Sequence, residues 1–261
     1  MTALDGLRVL DLSRVLAGPW ASQTLADLGA RVIKVERPGR GDDTRGWGPP
    51  FAKHAGLEDD SGESTGESAY FLCANRGKRS ITIDLSTEAG QRRVRALASS
   101  ADVLIENFKH GGAAGYGLDY ETLRESNPRL VYCSITGLGQ TGPLASRPGY
   151  DFLIQAMGGL MSVTGAPEGA AGAGPQKIGV ALTDIMTGLY ATIGILAALN
   201  ERGRSGLGQY VDLALLDVTA ASLANQASNF LVSGTAPGRL GNAHPNIVPY
   251  QPFRATDREI I

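Results

Sequence analysis

Short apolar runs and longer amphipathic ones alternate along most of this chain. Residues 8–13, Arg-Val-Leu-Asp-Leu-Ser, read as a buried strand, and residues 21–28 carry a helical apolar period that Gly29 closes. A second β-rich run, 31–36, follows at once. Strand, turn, helix and strand within about 30 residues make a βαβ unit, whose strands normally pair in parallel. The alternation continues with strand 80–85, helix 88–99, strand 102–106, a short helix 120–126 and strand 129–135. Residues 150–160 look helical, a long apolar run lies between Ile185 and Leu199, and a polar turn (202–208) leads to strand 209–214. One Ala/Leu-rich helix then extends to about Val232.

Glycine-rich exits follow several of these strands, notably 107–112 and 136–143. That pattern predicts one ligand crevice along the carboxyl edge of an α/β sheet. The first turn, Leu16-Ala-Gly-Pro19, is not GxGxxG, so a dinucleotide fingerprint is not supported. Residues 42–67 are polar, and 57–68 read as a surface loop or partly disordered segment. Residues 165–174 read as another loop. Beyond 233 the composition turns to Pro, Gly and Asn, and 257–261 resemble a hairpin turn entering a strand that stops short, so a truncated chain is expected.

Composition narrows the class. With 43% hydrophobic and 19% charged residues among 261, the chain is a globular protein rather than a disordered one. A net charge of −2 gives no reason to expect nucleic acid or an anionic membrane as partner. Cys73 and Cys133 lie apart in apolar stretches and read as reduced thiols; His54, His110 and His244 are too scattered to suggest a metal site. The first residues lack a secretory pattern, and run 185–199 is short and mixed for a bilayer span, so a cytoplasmic location without membrane attachment is expected.

Asp184 stands at the mouth of that long apolar run. It can cap the helix, accepting hydrogen bonds from first-turn N–H groups, and local sequence favours this. It can also be a nucleophile kept ionised by the helix dipole.

The ordered segments Leu4-Asp-Gly-Leu-Arg-Val-Leu-Asp11, Leu28-Gly-Ala-Arg-Val-Ile-Lys-Val-Glu-Arg-Pro-Gly39, Gly41-Asp-Asp-Thr-Arg45, Asn75-Arg-Gly-Lys-Arg-Ser80, Asp102-Val-Leu-Ile-Glu-Asn-Phe108, Ser134-Ile-Thr-Gly-Leu-Gly-Gln-Thr-Gly-Pro143 and Ala181-Leu-Thr-Asp184 resemble the family III CoA-transferases. That group includes formyl-CoA transferases and α-methylacyl-CoA racemases. The finer pattern, in 41–51, 132–137, 149–151 and 241–251, is most similar to succinate/glutarate-type dicarboxylate CoA-transferases. The resemblance implies a Rossmann-like open parallel sheet flanked by helices: a CoA-binding large domain over 1–200, a linker strand and helix over 201–232, and the beginning of a small domain over 233–261. An interlocked homodimer is implied for the full-length protein.

By the same resemblance, Asp184 is the nucleophile that takes first the acyl group and then CoA. Tyr150 stands where the racemases carry an acid/base His; a phenol abstracts protons poorly near neutrality, which argues against racemisation. A core tyrosine is the competing reading, and Asp151 reads as the N-cap of its own helix. Leu16, Ala17, Arg37, Ile83, Asp84, Asn107, Phe108 and Lys109 are implied to bind CoA, although Arg37 as a surface arginine and Ile83 as core packing compete. Leu16 replaces a Gln that serves formate and oxalate. Where a basic residue is common after the Asn107 segment, this chain has Ala113, Ala114 and Gly115. Trp47 and Tyr70 match active-site aromatics, and Arg45, His244 and Asn246 are expected near the second carboxylate of a dicarboxylic acid, although a turn with no catalytic role competes for the 241–246 loop. The expected substrates are an acyl-CoA and a carboxylic acid, with coenzyme A as co-substrate and no metal. An acyl-CoA racemase or epimerase and a non-catalytic CoA-binding subunit or fragment are the alternatives.

Overall fold

The apolar runs assemble as their alternation requires. The computed structural model describes residues 2–53 and 64–261. Within them the chain runs β1 (Arg8–Asp11), α1 (Ala17–Asp27), β2 (Arg31–Glu36), β3 (Phe51–Lys53), β4 (Ser64–Ser68), α2 (Ala69–Cys73), β5 (Lys78–Thr82), α3 (Glu88–Ala98), β6 (Val103–Glu106), α4 (Tyr120–Ser126) and β7 (Val131–Thr136). It continues through α5 (Asp151–Met157), α6 (Leu182–Ser205), β8 (Tyr210–Ala214), α7 (Leu215–Ser222), α8 (Ala224–Ser233), β9 (Phe253–Arg254) and β10 (Glu259–Ile260). Six strands form one sheet in the order β5-β2-β1-β6-β7-β8, and every pairing in it is parallel. This is the expected Rossmann-like α/β architecture. β8, expected in the linker, is the edge strand of that sheet.

Successive side chains on a strand face opposite ways, so the sheet has two apolar faces. Val9, Ile105 and Val131 pack under α1 and α6 against Leu25, Ala191 and Ile195. Leu10, Leu104 and Tyr132 pack under α3 and α4 against Val94 and Leu123. Gly188 sets the α1–α6 crossing: a Cβ there would lie 2.7 Å from the Ala17 carbonyl oxygen. That close approach brings the start of α1 next to the start of α6.

Several elements differ from expectation. Helix α1 begins at Ala17, because Pro19 is tolerated in a first turn, where its missing N–H has no helical partner anyway. Of the expected loop 57–68, residues 57–63 lie outside the described residues, as does His54, and 64–68 form β4, which pairs antiparallel with β3. Polar composition concealed that strand. The single helix expected up to Val232 is two, α7 and α8, broken where Ala224 takes φ +44°. Helix α6 has 24 residues and is long and apolar enough to cross a membrane; here its Ala191, Ile195 and Ala198 are buried. Its last turn is anchored by Arg202, which donates to the carbonyl of Arg129 (3.1 Å) and to the Asp102 carboxylate (3.2 Å). Strands β9 and β10 form the expected hairpin.

Candidate active site

Helix α6 starts without a cap of its own, since Ala181 has no side chain to offer. Its first amides find a partner 32 residues away. Asp151 Oδ1 accepts from the N–H groups of Thr183 (2.9 Å) and Asp184 (3.3 Å), while Oδ2 accepts from Gln155 Nε2 (2.7 Å). Asp151 is thus not the N-cap of α5. It is the first residue of that helix, and its carboxylate turns away to serve α6.

This borrowed cap leaves Asp184 free. Asp184 sits in the first turn of α6, three residues past the cap position, and no described residue donates a hydrogen bond to its carboxylate. Burial, and then the charge of Asp151, push its pKa from 3.8 up to about 7. The expectation that the helix start keeps it fully ionised is therefore corrected. Helix-end stabilisation, typically about 0.3–1 kcal/mol at the surface, is outweighed by desolvation and a like charge.

Asp184 faces a cleft of about 280 Å³. Leu16, Ala17, Asn107, Phe108, Lys109 and Tyr150, all singled out from the sequence, line it. Tyr150 is 69% exposed there, so it is not a core tyrosine. Its loop is fixed by a contact between two glycines: a Cβ on Gly149 would come within 2.8 Å of the Gly137 Cα. Arg14, His110 and Arg147 also line the cleft, and sequence reading did not find them. They lie in strand exits with no residue spacing of their own to mark them.

A second cleft, of about 360 Å³, holds Arg37, Ile83 and Asp84. Arg14 and Phe108 line both clefts. The two therefore adjoin at the carboxyl ends of β1 and β6, where the strand order reverses and open α/β sheets bind ligands. Ile83 serves both of its readings, since it is also part of the core. Arg37 pairs with Asp43, and its guanidinium remains partly exposed. Trp47 and Tyr70 meet edge to face with ring centroids 5.1 Å apart. Burial, and then the Asp184 charge, raise the Tyr70 hydroxyl to about 12, but neither ring lines the Asp184 cleft.

The match to the CoA-transferase family III model covers residues 4–261. The chain belongs to CoA-transferase family III. It is 57% identical over 258 residues to the succinate–glutarate CoA-transferase of Agrobacterium fabrum, covering 99% of this chain and 62% of that protein. It is 45% identical over 258 residues to the human succinyl-CoA:glutarate CoA-transferase, covering 99% of this chain and 55% of that one. Among solved structures, a CAIB/BAIF family protein from Brucella suis superposes with a TM-score of 0.88 at 58% identity, over 99% of this chain and 65% of that one. The chain thus spans less than two thirds of the length of these family III relatives.

Three expected substrate contacts of this family III chain lie elsewhere. Arg45 binds Glu36 through two hydrogen bonds (2.8 and 2.7 Å) and Glu67 through a third (2.9 Å), and it stacks on Phe71 at 3.7 Å. It is committed to tying Glu36 on β2 to Glu67 on β4. His244 Nδ1 accepts from the N–H groups of Asn246 and Ile247, both at 3.0 Å, which shapes its own turn. Asn246 exchanges amide hydrogen bonds with Asn229 on α8 (3.1 and 3.2 Å). Neither His244 nor Asn246 lines the Asp184 cleft. Among the described residues, no group of three His, Cys, Asp or Glu could hold a metal ion.

Proposed function

We propose that the protein moves CoA from a dicarboxylyl-CoA such as succinyl-CoA to another carboxylic acid, with Asp184 as the covalent carrier. The observation that carries this is a half-buried carboxylate without hydrogen-bond donors, facing a cleft, next to a carboxylate that does the capping instead. The adjoining cleft suits the nucleotide end of CoA, with basic Arg14 and Arg37 beside apolar Ile83 and Phe108. The printed activities of the relatives, succinate–glutarate and succinyl-CoA:glutarate CoA transfer, support the substrate class.

The ionised Asp184 oxygen attacks the thioester carbonyl, and CoA leaves as thiolate, giving a mixed anhydride. The thiolate attacks the aspartyl carbonyl, the donor acid leaves as carboxylate, and CoA is carried on Asp184 as a thioester. The acceptor carboxylate attacks that thioester and expels CoA thiolate. The thiolate then attacks the acceptor's acyl carbon, and the Asp184 carboxylate is regenerated. No proton is gained or lost overall. Holding the partners together lowers the barrier by roughly 7–11 kcal/mol in favourable cases. A carboxylate that titrates near neutrality is a stronger nucleophile than an ordinary one and is still about half ionised near pH 7. Arg147, which lines the cleft without an ion pair among the described residues, is our candidate for the second carboxylate of the acid. A cytoplasmic homodimer belongs to the same proposal; Leu231 and Val232, 80% and 90% exposed on α8, give it an apolar face to cover.

The test is exchange between succinyl-CoA and labelled glutarate by the full-length protein, with mass spectrometry of the Asp184 peptide during turnover. A CoA adduct on Asp184 and loss of exchange in Asp184→Ala are expected. Exchange that survives Asp184→Ala overturns the assignment, and inversion of a 2-methylacyl-CoA without any acceptor acid would instead identify a racemase.

A further inference from the structure

Three consecutive residues between β1 and α1 are each held by a different side chain. Lys34 Nζ donates to the carbonyl of Ser13 (2.8 Å). Asn107 brackets Arg14, accepting from its N–H (3.0 Å) and donating to its carbonyl (2.7 Å). Asp42 Oδ1 accepts from the N–H of Val15 (3.3 Å) and from the N–H and hydroxyl of Thr44 (3.0 and 2.8 Å). The holders are themselves coupled: Lys34 Nζ lies 2.9 Å from Asp42 Oδ2, and the two side chains are 1% and 0% exposed. That contact is an ion pair without hydrogen-bond alignment. A buried ion pair of this kind contributes little net stability, so stability alone does not account for it.

What these groups hold is an unfavourable backbone. Val15 has φ +71°, a region that a β-branched side chain strongly avoids. The next two residues, Leu16 and Ala17, form the wall of the cleft that contains Asp184, and Gly188 lets α6 touch Ala17. Released from its holders, Val15 would relax to negative φ and carry Leu16 and Ala17 with it.

We propose that Asp42 and Lys34, together with Asn107, are positioning residues: they hold Val15 in the left-handed region so that Leu16 and Ala17 stand at a fixed distance from the Asp184 carboxylate during acyl transfer. The inference rests on the transfer chemistry proposed above. It places a pair of buried charges, lining the adjoining cleft rather than the one Asp184 faces, in control of the reacting geometry.

The experiment measures kcat, KM for succinyl-CoA and Tm in the full-length protein. Asp42→Asn keeps an oxygen for Val15 but sets an amide donor against Lys34. Its kcat should fall about tenfold or more, since a misplacement of about 1 Å can cost about a hundredfold, while KM moves much less. Adding Val15→Gly should restore kcat to within about threefold of the unmutated protein, because glycine adopts positive φ without strain. If Asp42→Asn does not fold, Asn107→Ala with and without Val15→Gly is the second pair, scored on kcat. A structural role alone would lower Tm and leave nothing for Val15→Gly to recover. The proposal is overturned if the folded single variants keep full kcat, or if Val15→Gly recovers none of a loss. Either result with Asp184→Ala inactive removes only this inference, whereas an active Asp184→Ala removes the transfer chemistry beneath it.

Discussion

Two aspartates at the same edge of the sheet have opposite fates. Asp11, at the end of β1, is fully buried, and burial alone would raise its pKa. Lys78 at 3.1 Å, the charge of Lys34 and the hydroxyls of Ser13 and Ser22 overcome that and bring it down to about 2. Asp184 has burial without cation or donor, and it rises to about 7. Desolvation acts on both in the same direction, so partners decide the difference. The fully paired carboxylate locks β1, α1 and β5 together. The bare one is the carboxylate proposed above as the carrier.

The largest test of this contrast is chemical. Asp184→Ala should lower CoA exchange by at least about 10³-fold, as loss of a covalent nucleophile does, while circular dichroism stays unchanged. The corresponding lesion at the paired site is structural. Lys78→Met should destabilise by about 3–5 kcal/mol, read as a loss in denaturant midpoint, because Asp11 is left buried without its nearest cation. An unchanged midpoint would mean that the pair is not what holds Asp11 ionised.

The charge of Asp151 offers a finer lever. Asp151→Asn keeps an oxygen for the α6 amides but removes the like charge, so the acid limb of the pH–rate profile should move to lower pH. The rate at pH 6 then rises severalfold relative to that at pH 8, at roughly tenfold per full pH step of displacement. A limb that stays in place would show that burial alone sets the titration of Asp184.

The same contrast reaches stability against pH. With a folded pKa of about 7 against 3.8 unfolded, Asp184 keeps its proton in the native state where the unfolded chain has lost it. Native stability therefore falls as pH rises from about 4 to about 7 and is level beyond, by linkage. Asp184→Asn should remove that fall, so its Tm advantage grows from nil near pH 4 to a plateau above pH 7, at about 2–4 °C per kcal/mol regained. Asp11 behaves in the reverse sense, since its contribution is present above about pH 4 and is lost as pH drops toward 2.

Much of this was legible in the sequence. The short β-rich runs with helices between them gave away the parallel sheet, and the glycine-rich exits pointed to its carboxyl edge. Asp184 stood out at the mouth of an apolar helix. Its local reading as a cap was wrong for a reason no local pattern contains: the cap comes from Asp151, on another helix. Arg45 was equally opaque, because a free arginine and one spent on Glu36 and Glu67 look alike in a sequence. Arg14, His110 and Arg147 come together only when three loops fold over the same strand ends. Pairwise contacts over such separations leave no periodicity to read.

The glycine contact beside Tyr150 sets a boundary on how this protein can be varied. Because backbone touches backbone between positions 137 and 149, even one added methyl at Gly149 would act as a wedge. It would lift the start of α5, and Asp151 would leave the amides of α6. Asp184 would then lose the neighbouring charge that, after burial, raises its pKa, so that an alanine scan of this loop would alter a carboxylate it never touches.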